Sequence, residues 1–184
     1  MPCTFTPGPI PGLVIIQPRV FADDRGWFME SYKKSEFIDH GISEDFVQDN
    51  HSRSIRGVLR GLHFQRSPHA QGKLVRCLDG RVWDVAVDLR RGSPTFGRYH
   101  GIELSPENST MFYIPPGFAH GFITLSEHAE FVYKCTEEYA PESDGGVRWD
   151  DPDLALPWPL DQPLVSPKDS QLPFLADLGK DFAL

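Results

Sequence analysis

The chain lacks what several large classes of protein require. It has no excess of basic residues: 18 lysines and arginines stand against 26 aspartates and glutamates, for a formal net charge of −8. Nonspecific binding to nucleic acid or to an anionic membrane needs the opposite sign, so neither is an expected partner. No apolar run approaches the length of a membrane-spanning helix. Cysteine is scarce, and Cys3, Cys77 and Cys135 are spaced for neither a zinc site nor a disulfide framework. Cys77 and Cys135 fall in apolar strand-like runs, where buried thiols are expected. No basic segment followed by an apolar stretch opens the sequence, and a reducing cytoplasm is the compartment that fits. Glycine-rich dinucleotide fingerprints after a strand are also missing, so no redox cofactor is expected.

Turn residues are abundant instead. Sixteen glycines and seventeen prolines follow no period in the 184 residues, and they punctuate short strand-like stretches. Strands are predicted at Leu13–Gln17, Trp27–Tyr32, Phe46–His51, Gly57–Phe64, Lys73–Leu78, Val82–Leu89, Gly101–Leu104, Thr110–Ile114, Gly121–Leu125 and Glu130–Cys135. Turns such as Leu78-Asp79-Gly80 and Arg91-Gly92-Ser93-Pro94 separate them. Between Val82 and Leu89 the pattern alternates, with Val82, Asp84, Ala86 and Asp88 on one face and Trp83, Val85, Val87 and Leu89 on the other. A helix is predicted near Lys33–His40, stopped by Gly41. The proline- and aspartate-rich last forty or so residues read as an ordered wrap. The expected fold is all-β, an antiparallel sandwich or barrel. It forms a single domain over residues 1–184, with a barrel core at about 45–140.

Polar residues interrupt these strands where chemistry would need them. Arg60-Gly61-Leu62-His63-Phe64-Gln65 puts an arginine and a histidine into an apolar strand. A lone histidine there would read as a satisfied core residue. Gln48, Asp49 and Asn50 interrupt a neighbouring strand, however, and Lys73 begins another. So many polar groups are tolerated when they face a solvated cavity, such as the interior of a ligand-binding barrel. Arg60 and His63 are three apart, which in a regular strand sends them to opposite faces. A bulge at Gly61 would reunite them.

The stretch Pro115-Pro116-Gly117-Phe118-Ala119-His120 resembles the second motif of the cupin superfamily, in which a tight turn delivers a histidine into the barrel. Metal-binding cupins carry a His-x-His pair in their first motif. Here His63-Phe64-Gln65 offers one histidine, and His63 with His120 falls short of the three or four ligands that a transition metal wants. His51 would have to join them, and no metal is expected. Tyr133 shares a strand face with Phe131 and Cys135, as a structural residue or as a proton donor. Ser166-Pro167-Lys168-Asp169, taken alone, reads as a solvated turn.

In order along nearly the whole chain, these segments resemble the dTDP-4-dehydrorhamnose 3,5-epimerase family. The likeness runs through Asp24-Arg25-Gly26, Gln48-Asp49-Asn50-His51-Ser52, Arg60-Gly61-Leu62-His63, Gln71-Gly72-Lys73-Leu74-Val75, Asp84-Val85-Ala86-Val87-Asp88, Ser93-Pro94-Thr95-Phe96-Gly97, Gly117-Phe118-Ala119-His120-Gly121, Tyr133-Lys134 and Lys168-Asp169. The resemblance implies a cupin-type jelly-roll barrel with short peripheral helices, without metal or other cofactor, assembled as a homodimer. It implies a dTDP-linked 4-keto-6-deoxyhexose as substrate, inverted at C3 and C5. His63 would be the general base, oriented by Asp169. Lys73, with Arg60 nearby, would stabilise an enolate, and Tyr133 would return a proton to the other face. Arg25, Glu30, Gln48, Asp49, Asn50, Arg60, His120 and Lys168 match positions that hold the nucleotide and sugar, and Phe28 and Tyr139 would pack against sugar or base. Asp144 stands where the family often has glutamate, so its carboxylate is retracted by one methylene.

Other readings share some of these features. A relative that inverts only C3 or only C5, or that moves the ketone, would use the same enolate. A metal-dependent cupin conflicts with the missing His-x-His, and a sugar-binding module does not need an acid and a base on opposing faces.

Overall fold

The computed structural model describes residues 3–179. Its strands are β1 (Cys3–Pro7), β2 (Val14–Pro18), β3 (Val20–Asp23), β4 (Gly26–Met29), β5 (Gln48–Ile55), β6 (Val58–Gln65) and β7 (Lys73–Asp79). They continue with β8 (Val82–Asp88), β9 (Tyr99–Leu104), β10 (Met111–Ile114), β11 (Phe118–Thr124), β12 (His128–Cys135), β13 (Asp144–Gly146) and β14 (Leu164–Val165). Two short helices, α1 (Lys34–Asp39) and α2 (Pro167–Ser170), complete the inventory used below. One sheet runs β1-β2-β10-β7-β12-β5 and the other β13-β6-β11-β8-β9, with β14 joining β6 in parallel. Strands β3 and β4 form a separate hairpin. The two large sheets enclose the interior of a cupin-like jelly roll.

Alternation along β8 explains the layering. Val82 and Ala86 enter the interior with Val75, Phe112, Phe122 and Phe131. Phe122 and Phe131 stack at 4.2 Å between ring centroids. Burying each such ring contributes about 1.5–3 kcal/mol. Val85, Val87 and Leu89 point outward, yet they too are buried, because Val147, Leu154, Leu156 and Trp158 cover them. The segment after β13 is therefore the wrap expected from its prolines. On the other flank Phe37 of α1 and Ile42 cover Leu74, Met111 and Tyr113. Gly41 closes α1 with φ +85°, as its position after the helix predicts. All three cysteines are buried and free.

Each expected strand has a counterpart, with shifted ends. The strands that the pattern does not announce are β1, β3, β13 and β14. Asp144-Gly145-Gly146 of β13 carries no apolar residue and is a strand only by its backbone pairing to Gln65, Phe64 and His63. β14 has only two residues.

The bulge expected at Gly61 is present. His120 pairs with His63 and Phe122 with Arg60, so three steps along β6 span two along β11. The extra residue restores Arg60 and His63 to one face. Gly61 has φ +138°, and a Cβ there would stand 2.6 Å from the Gly121 Cα and 3.0 Å from the His120 carbonyl oxygen. Neither the dihedral nor the space admits a side chain. Gly61→Ala is expected to cost about 3 kcal/mol or more of stability, seen as a lower urea midpoint.

Candidate active site

Between the sheets lies a cavity of about 700 Å³, lined from both sides. The second sheet contributes Arg60 and His63 from β6 and His120 from β11; the first contributes Asn50, Lys73 and Tyr133 from β5, β7 and β12. Phe122, Leu59 and Phe64 give it apolar walls. His63 and Tyr133 thus open into the same cavity from facing sheets.

His63 is oriented by a residue more than a hundred positions away. Its Nε2 lies 2.8 Å from Asp169 Oδ1, and the other carboxylate oxygen accepts from the Gly61 N–H at 3.3 Å. Asp169 reaches there because β14 runs alongside β6, with Val165 opposite Leu59, and α2 starts directly after it. Ser166 caps α2 by accepting from the Asp169 N–H at 3.0 Å, and Pro167 follows as the first helical residue. Serine followed by proline is a helix-start signal. It was present in the segment that reads as a solvated turn. Burial would push the Asp169 carboxyl up, but the hydrogen bond and charge of His63, with Gly61 and Ser166, hold it below the usual carboxylate value. With Nε2 tied to the carboxylate, Nδ1 of His63 is the nitrogen left for substrate.

Lys73 is only 7% exposed, and burial pushes its pKa down. Arg60 is steadied by Ser54, whose hydroxyl accepts from Nε at 3.1 Å. Tyr133 has its pKa raised mainly by burial, with Arg60 pulling the other way. At the rim, Asp144 accepts from Lys168 Nζ at 2.5 Å and from the Tyr139 hydroxyl at 3.2 Å. Asp144 thus binds α2 to β13.

Five other expected residues lie elsewhere. Gln48 does not line the cavity: it donates to Asn50 Oδ1 at 3.2 Å and accepts from the Tyr139 N–H at 2.8 Å. Arg25 and Phe28 belong to the β3–β4 hairpin and do not line this cavity; Phe28 is 66% exposed and Arg25 pairs with Asp23. Glu30 follows the hairpin and is likewise absent from the cavity wall. Asp49 also lies off the wall of this cavity. Strand alternation turns it to the outer face of β5, where it accepts from Lys134 Nζ at 2.9 Å. His51 shares that outer face and pairs with Glu130 at 3.1 Å. Among the described residues no three His, Cys, Asp or Glu side chains are grouped to hold a metal ion. Sequence reasoning assigned no role to Ser54 or Ser166, although both fix cavity groups.

A histidine–carboxylate pair facing a phenol across a polar cavity of a jelly roll is the arrangement that a carbohydrate epimerase requires. The family model for dTDP-4-dehydrorhamnose 3,5-epimerase matches residues 7–177. The enzyme of that name from Pseudomonas aeruginosa is 58% identical over 95% of this chain and 93% of its own length. That of Salmonella typhimurium is 54% identical over 90% of this chain and 92% of its own. Among solved structures, a dTDP-6-deoxy-D-glucose-3,5-epimerase from Legionella pneumophila in complex with dTDP-4-keto-L-rhamnose superposes with a TM-score of 0.93. It shares 50% identity and covers 96% of this chain and 95% of that one. The chain belongs to the dTDP-4-dehydrorhamnose 3,5-epimerase family and is an isomerase.

The buried lysine makes a stability prediction. Its folded-state pKa lies below the unfolded value near 10.5. Between the two values the unfolded chain holds the proton better, so stability rises with pH across that window and is reduced below it. Lys73→Met is expected to raise the unfolding free energy by about 1–2 kcal/mol at neutral pH and to flatten that alkaline rise, as read by denaturant titration.

Proposed function

We propose that the enzyme inverts C3 and C5 of dTDP-4-dehydro-6-deoxy-D-glucose to give dTDP-4-dehydro-L-rhamnose, for rhamnose or related deoxysugar synthesis. The observation that carries this reading is the placement of His63, held by Asp169, and Tyr133 on facing walls of one cavity. The C4 ketone acidifies the hydrogens on C3 and C5. His63 Nδ1 takes one of them, and the electron pair moves to the C4 oxygen as an enolate. Asp169 stabilises the resulting imidazolium. Lys73 and Arg60 supply positive charge for the enolate oxygen. Tyr133 returns a proton to the carbon from the opposite face, which inverts it. The imidazolium then loses its proton to solvent, the phenolate regains one, and the second carbon follows. Such a base contributes about 10²–10⁴-fold.

Incubation of the dTDP-4-keto sugar in heavy water should place deuterium at both C3 and C5, read by NMR. Uptake at a single carbon would identify a single-site epimerase instead. His63→Ala is expected to lose exchange at both carbons while keeping dTDP binding. Tyr133→Phe should retain some exchange and lose net inversion; full inversion in that variant would remove Tyr133 as the donor.

The nucleotide-binding positions bear on assembly. Arg25, Phe28 and Glu30 match binding positions but lie away from their own chain's cavity, beside exposed Val20, Phe21 and Trp27. A homodimer in which this hairpin reaches the partner's cavity gives them a ligand and covers the apolar surface. Lys168 and Arg60 then meet the pyrophosphate together with the partner's guanidinium. Mixing His63→Ala with Arg25→Ala, each nearly inactive alone, should restore activity through one intact site per mixed dimer. No recovery after subunit exchange would exclude the shared site.

A further inference from the structure

Asp84 has no part in the chemistry above, yet it is a fully buried carboxylate. It lies on the inner face of β8, among Val82, Ala86, Phe122 and Phe131. Its Oδ2 stands 2.8 Å from His120 Nε2, while its Oδ1 finds no partner among the described residues. A carboxylate oxygen left unpaired in an apolar layer works against folding. Register supplies another reason for it. Asp84 is opposite Phe122, and His120 is opposite Ala86 on one side and His63 on the other. Two histidine–carboxylate pairs therefore stand side by side at one cavity.

The pairs differ in access to water. The His63 and Asp169 side chains are 35% and 6% exposed; those of His120 and Asp84 are 8% and 0% exposed. A base that must shed its proton between two inversions suits the open pair. The sealed pair suits a fixed hydrogen-bonding role. Phe131 lies nearly parallel to the His120 ring, at 16° and 6.1 Å between centroids, so the ring is held on its face as well as at its edge.

We propose that Asp84 is a positioning residue for this reaction: by holding His120 through Nε2 it keeps a hydrogen on Nδ1, which His120 donates to an oxygen of the sugar. A dry site favours the state of the pair without net charge. In that state Nδ1 bears hydrogen whether the shared proton sits on Nε2 or on Asp84. Burial pushes the Asp84 carboxyl up against the pull of His120, which fits such sharing. The role in turnover rests on the epimerase reading; the protonation of the ring does not.

Asp84→Asn tests it with little change of volume. With its oxygen toward Nε2, the neutral amide accepts that hydrogen and leaves Nδ1 of a neutral imidazole bare. The variant is expected to lose about 10–100-fold in kcat with dTDP affinity unchanged. The double variant with His120→Asn should be no slower than His120→Asn alone. In ¹⁵N spectra of the His120 ring, Nδ1 should read as protonated in the parent enzyme and unprotonated in Asp84→Asn. An unprotonated Nδ1 in the parent, an unchanged kcat, or additive losses in the double variant would overturn the proposal. If the parent enzyme takes up no deuterium at either sugar carbon, the epimerase reading fails instead, and the nitrogen spectra still judge the pair.

Discussion

The hydrogen bond between His63 and Asp169 is the constraint on which the rest of the site depends. An imidazole can be a base at one nitrogen only if something decides which nitrogen holds the proton. Here the decision is made by a carboxylate on α2, brought in by a parallel strand pair with β6 and steadied by Ser166 and the Gly61 N–H. Gly61 serves twice. Its missing side chain lets β6 approach β11, and its backbone helps to anchor the acid. The bulge that puts Arg60 and His63 on one face and the contact that orients His63 share a residue.

The interior is built against its own stability where function demands it. Lys73 and Asp84 are both almost wholly buried, and Asp84 has an oxygen without a partner among the described residues. Around them the aromatic stack of Phe122 and Phe131 and the double-sided burial of β8 supply the apolar contacts that offset this cost. The division follows from topology. One half of the space between the sheets is packed with side chains, and the other half is left as the cavity.

Much of this was legible in the sequence, for identifiable reasons. Strands such as β8 announce themselves because alternation is strong and turns bound them. The bulge was legible because Arg60 and His63 have the wrong parity for a shared face. Asp169 was reached only by resemblance, since no local pattern ties residue 169 to residue 63. Asp49 lies off the cavity wall for a simple reason: a polar run of three in a strand cannot all face one way. Arg25, Phe28 and Glu30 show a further limit, because a sequence pattern does not say how far from a cavity a matched residue lies. β13 was invisible, having only backbone to offer the sheet.

The acid that directs His63 lies on the wrap, beyond every strand of the two main ladders. During synthesis the ribosome delivers the barrel strands well before residue 169 emerges. A nascent barrel already closed around its cavity would hold an imidazole without a fixed tautomer. The orientation of His63 therefore waits on the seating of that trailing segment against β6.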